Sequence, residues 1–177
     1  MADRFWVGGT ATWNASTTTN WSATSGGAGG QSVPGASDTV TFDASSGGGT
    51  VTVGTGYNPS VTSITMGAFT GTLDFSAFNN SPTMQTFDCS GTGVRTLNMG
   101  SGTWTITGNN ATIWTIITAT NLTLNVGTST INCTYSGGTG TRTLAGNNGT
   151  GGASCYNLSI SAGTDIVTWT GFDSGIA

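Results

Sequence analysis

The sequence contains no histidine, no lysine and no glutamate; seven aspartates and three arginines carry all the side-chain charge of its 177 residues, for a net charge of −4. Each absence removes a class of chemistry. Without histidine there is no Ser-His-Asp or Cys-His relay and no histidine-bearing zinc site. Without lysine there is no Walker-type phosphate loop, so the glycine runs SGGAGG at Ser25 to Gly30 and SSGGGT at Ser45 to Thr50 read as turns. Arg4, Arg95 and Arg142 are far apart and form no basic run, and an acidic chain disfavours nucleic acid. The three cysteines, Cys89, Cys133 and Cys155, lack paired metal-ligand spacing. They read as small buried side chains, with one disulfide left open. No cofactor or metal is expected. The first residues lack the basic segment and apolar core of an export signal, and no membrane-spanning run follows, so synthesis in a cytoplasm is expected.

Missing lysine and glutamate also removes two good helix formers, while the abundant threonine, valine and isoleucine favour strands. Thirty glycines suggest disorder, but a 35% hydrophobic fraction, six tryptophans and short alternating apolar runs argue for a folded, turn-rich chain. Twelve strands are expected beyond residue 49, from Thr50 to Val53 through Asp165 to Thr170, joined by glycine and asparagine turns with no helical segment. Such a pattern fits a β-solenoid, a sandwich or a barrel. Internal similarity favours the solenoid. GTGVRTL at Gly91 to Leu97 returns as GTGTRTL at Gly138 to Leu144, an offset of 47, which as two coils gives roughly 20 to 25 residues per coil. Ile64, Leu97 and Leu144 are then expected to stack inward, and Arg95 and Arg142 to lie on matching outward faces as a possible surface stripe. A sandwich or jelly roll stays open, because SITMG at Ser63 and TLNMG at Thr96 are offset by 33, which does not fit that period.

Residues 1–48 differ from the rest. Trp6, Trp13 and Trp21 fall seven and eight apart, but Gly8-Gly9 and Thr17 to Thr19 argue against a helix. They are expected to gather into an aromatic cap on a solenoid body of residues 49–177, with assembly or glycan contact as further roles. Trp169 and Phe172 near the C-terminus are candidates for the same contacts. Asp38 and Asp43 flank a strand and read as turn caps. A two-carboxylate glycosidase needs a close aspartate pair; Asp38 with Asp43, Asp74 with Asp88 and Asp165 with Asp173 are formal pairs without a recognisable site, so no enzyme is expected.

Trp13, Asn20, Trp21, Pro34, Asp38, Val40 and Phe42, continued by Leu97, Gly100, Gly102, Trp104, Leu122, Leu124 and Gly127, carry a resemblance over roughly residues 5 to 130. The pattern is similar to autotransporter-associated β-strand repeats and resembles β-solenoid proteins encoded among bacteriophage structural genes. The resemblance implies a right-handed parallel β-helix in a virion: a capsid decoration protein or a tail or head fibre component. It also implies capsid or tail proteins as partners and a homo-oligomer such as a trimer. A carbohydrate-binding or adhesin module contacting host-surface glycan is the alternative, with Trp6, Trp13, Trp21 or Tyr57 as stacking platforms.

Overall fold

The computed structural model describes residues 1–134, 140–146, 155–161 and 166–170. Sixteen short strands follow one another: β1 (Asp3–Trp6), β2 (Ala11–Trp13), β3 (Trp21–Ser22), β4 (Thr39–Thr41), β5 (Thr50–Val53), β6 (Ser60–Thr65), β7 (Thr72–Asp74), β8 (Thr83–Asp88), β9 (Arg95–Asn98), β10 (Thr103–Ile106), β11 (Thr112–Thr115), β12 (Leu122–Asn125), β13 (Thr130–Cys133), β14 (Thr141–Ala145), β15 (Asn157–Ile160) and β16 (Ile166–Thr170). All twelve strands expected beyond residue 49 are present, and two single-turn 3-10 segments are the helical content among the described residues.

Pairing settles the architecture. Five strands form one sheet in the order β12-β9-β7-β5-β2, every neighbour parallel. The other eleven form a second sheet that is parallel except where β3 closes on β1 antiparallel. Parallel neighbours one coil apart make a β-solenoid, whereas sandwiches and jelly rolls are built from antiparallel strands. Residues 1–48 supply β1 to β4 and are hydrogen-bonded into both sheets, β2 onto β5 and β4 onto β6.

The second sheet forks at β8. Thr83 and Met84 pair with Thr105 and Ile106 of β10, while Phe87 and Asp88 pair with Trp114 and Thr115 of β11. The first step is 22 positions and the second is 27; the five extra residues are the Thr107 to Ala111 corner, rich in Gly108-Asn109-Asn110. This insertion turns one long strand into two short ones, and the two coils from β9 to β14 carry three strands each. Coil length therefore varies: in the five-stranded sheet the step is 22 from Thr50 to Thr72, 24 from Thr72 to Thr96 and 27 from Thr96 to Thr123.

That variation corrects the reading of the repeat. Arg95 opens β9 in the five-stranded sheet, and Arg142 lies in β14 of the other sheet, so the offset of 47 is not two coils and the copies do not stack. What recurs is a local strand opening. Ile64 and Leu144 do share a column, through Phe87 and Trp114, but Leu97 stacks between Leu73 and Leu124 on the other sheet.

Alternation places one residue in two inside, as the buried–intermediate patterns of β5 and β9 show. The interior is a continuous aromatic spine. Trp6 and Trp13 each meet Trp21 edge-on at 5.1 and 5.2 Å, Phe42 packs against all three, and Trp13 lies 6.5 Å from Phe75. Phase then passes to Trp104 at 4.5 Å from Phe75, and on through Phe87 to Trp114, 4.4 Å apart. Edge-to-face and offset pairs of this kind add to area burial.

Corners need close backbone approach. Gly100 and Gly127, each following a strand of the five-stranded sheet, have φ of 76° and 58°, and a Cβ on Gly127 would sit 2.2 Å from the Gly100 carbonyl oxygen. Gly127→Ala meets both a left-handed backbone and a wall of backbone, so we expect a loss of about 1–3 kcal/mol, a drop of about 2–12 °C in thermal denaturation followed by circular dichroism.

Candidate functional surfaces

Arg95 and Arg142 do not form a surface stripe. Each lies two residues before an inward leucine, Leu97 and Leu144, and strand parity sends residues i and i+2 to the same side. Arg95 is 1% exposed and Arg142 8%. Arg95 Nε donates to the Cys89 carbonyl at 2.9 Å, Nη1 to Gly93 and Thr120 at 2.9 and 3.2 Å, and Nη2 to Thr118 at 2.9 Å and to Cys89 again. Cys89 and Gly93 belong to the corner before β9, Thr118 and Thr120 to the corner one coil on. The guanidinium thus ties two successive corners together, a job for which a planar five-donor fork is suited. The same parity turns Val94 outward, where it is 71% exposed.

Trp6, Trp13 and Trp21 are fully buried, which corrects their assignment as glycan or assembly contacts. Their rings build the first turns of the spine, and Trp6 Nε1 donates to the Gly9 carbonyl at 3.0 Å. Tyr57 is half-buried against Trp13, with ring centroids 6.2 Å apart. In β16, Trp169 pairs in register with Leu144; Phe172 lies outside the described residues.

Four aspartates are turn caps. Asp38 accepts from the backbone N–H of Ala2 and Gly35, at 2.9 and 3.1 Å; the bond from Gly35 is the main force lowering its pKa, with burial opposing and Ala2 and Arg4 assisting. Asp43 forms a reciprocal capping box with Ser46. Asp74 and Asp88 take the backbone N–H of Ser76 and Ser90, both at 2.8 Å, and stand on different sheets. Asp165 and Asp173 lie outside the described residues. Among the described residues no three His, Cys, Asp or Glu side chains converge as a metal site.

All three cysteines are free and buried. Burial pushes the Cys89 thiol up to about 12, with the Arg95 charge opposing and Asp88 adding, and pushes Cys133 up to about 11, with Cys155 adding. A thiol that ionises near its ordinary value when unfolded but stays protonated when folded makes the folded state bind more protons, so stability falls as pH rises from about 9 toward about 12. We expect urea midpoints to drop across that window and Cys89→Ala to flatten the drop; a slope unchanged in Cys89→Ala would place the effect elsewhere.

The outward positions are where a function can sit, and they form columns that the strand-by-strand reading did not assemble. On the five-stranded sheet Thr50, Thr72, Thr96 and Thr123 are in register on four successive strands, and beside them run Thr52, Asp74, Asn98 and Asn125, the last two joined by a 2.8 Å amide hydrogen bond. The signal is present in the sequence as TVT, TLD, TLN and TLN, once the register is known. Comparison with protein-family models, with curated proteins and with solved structures finds no match to this chain.

Proposed function

We propose that the chain is a non-enzymatic bacteriophage virion structural protein, a capsid decoration protein or a tail or head fibre component, acting as a rigid strut. The observation that carries this reading is the unbroken interior: one aromatic and aliphatic column runs through the stacked coils from Trp6 to Leu144, and four of the carboxylates among the described residues, Asp38, Asp43, Asp74 and Asp88, are occupied as turn caps. Stacking of this kind resists bending because every coil is hydrogen-bonded and packed to the next. The low surface charge allows sister chains and capsid or tail proteins to pack alongside without desolvating many charges. The phage assignment rests on the sequence resemblance. The adhesin alternative loses its main physical support with the burial of the three N-terminal tryptophans.

Purified particles from the natural source test the proposal. Peptides of this chain are expected in their mass spectra at stoichiometric levels, with solenoid density on the head or tail by cryo-electron microscopy. Particles free of the chain would overturn it.

A further inference from the structure

We propose that the outer face of the five-stranded sheet binds the surface of ice, its in-register threonine column, Thr50, Thr72, Thr96 and Thr123, anchoring ordered water. This goes beyond the structural role above and does not depend on it. The reasoning starts from water. Hydrogen bonds of about 2.8 Å meeting at the tetrahedral angle place next-nearest oxygens about 4.6 Å apart. Successive parallel strands stand about 4.8 Å apart, so each coil presents one threonine per lattice step and the mismatch over three steps is only about 0.6 Å. Across the sheet, residues two apart on a strand are separated by about 6.7 Å. The matching lattice repeat is eight-thirds of a hydrogen bond, about 7.5 Å, and with only two columns that difference is met once.

The side chains suit such a ligand. The four threonine hydroxyls of the column make no hydrogen bond within the protein, so their bonding capacity faces outward. Threonine is stiff at χ1, so little rotamer freedom is lost on binding, and each methyl sits beside its hydroxyl on the same array. The face is close to neutral: Asp74 is its one outward charge on the strands, and one carboxylate oxygen is already held by the Ser76 N–H and hydroxyl at 2.8 and 2.6 Å. A charged partner finds a single carboxylate, Asp74, to pair with. A protein partner finds too little area, because five strands of about four residues cover roughly 300 Å², against about 800 Å² per side in a stable complex. A crystalline lattice with the same repeat is the occupant that both the spacing and the neutrality fit.

The test uses the full chain and single ice crystals grown under a microscope. The wild-type chain is expected to facet the crystals and to open a gap between melting and growth temperatures. T72K/T96K is expected to abolish both while keeping the far-ultraviolet circular dichroism of the wild type, and T123K, on the last strand of this sheet among the described residues, to weaken them without touching the interior. T65K, on the other sheet, should leave them unchanged. Round crystals growing in wild-type protein as in buffer would overturn the proposal, as would faceting that survives in folded T72K/T96K or is lost equally in T65K.

Discussion

Trp104→Ala is expected to lower the unfolding free energy by about 3–5 kcal/mol, the range for removing a large buried aromatic. Trp104 is fully buried and sits where the two sheets face each other: Phe75, just past β7, packs on it at 4.5 Å, while Phe87 of β8 and Trp114 of β11 meet it at 5.5 and 6.0 Å. Truncation opens a void that parallel strands hydrogen-bonded on both sides cannot close, and it frees the Met99 carbonyl from the indole N–H, 3.3 Å away. Because each coil is stabilised by its neighbours, the damage is concentrated at the fork between β8, β10 and β11. Urea unfolding should show the midpoint fall, and hydrogen exchange should show protection lost first in β8 and β10. Trp104→Phe, which keeps most of the ring contact, should cost much less. Equal costs for the two variants would mean that the indole's bulk does not bridge the sheets.

The strands of this fold were legible in the sequence because alternation is a local property. TVTV at Thr50 and TWTI at Thr103 announce a strand with one face buried whatever lies next to it. Register was not legible, because it depends on corner lengths that vary, and a five-residue insertion at Thr107 to Ala111 splits a strand without changing the look of either half. Similarity between GTGVRTL and GTGTRTL therefore pointed to a shared column that does not exist, since the two segments open strands on different sheets. The N-terminal tryptophans illustrate another limit. Their clustering was readable from composition and turn chemistry, but a cap that closes over its own rings and one that presents them differ only in tertiary packing. The threonine columns were hidden for the same reason as the register: each threonine looks like ordinary strand composition until four of them line up.

Arg95 is the residue whose role the sequence misjudged most, and its replacement gives the second large effect. Arg95→Met keeps the aliphatic length but removes all five donors, leaving the carbonyls of Cys89, Gly93, Thr118 and Thr120 without the guanidinium that now satisfies them. The Cys89 carbonyl, the buried acceptor of the four, is left unpaired at a cost of about 1–3 kcal/mol, while the Thr118 carbonyl keeps the Gly91 N–H at 2.7 Å, so a net loss of about 1–3 kcal/mol is expected. Burial works to lower the Arg95 pKa, with Cys89 and Asp88 acting against that. Arg95→Lys tests the geometry: an ammonium is a point donor and cannot reach two corners at once, so lysine should recover less than half of the loss. Urea titrations of both variants, compared with the wild type, decide the matter. An exposed arginine costs within about 0.5 kcal/mol to replace, so near-neutral Arg95→Met would show that the clamp between coils contributes nothing and that the original outward reading had the energetics right.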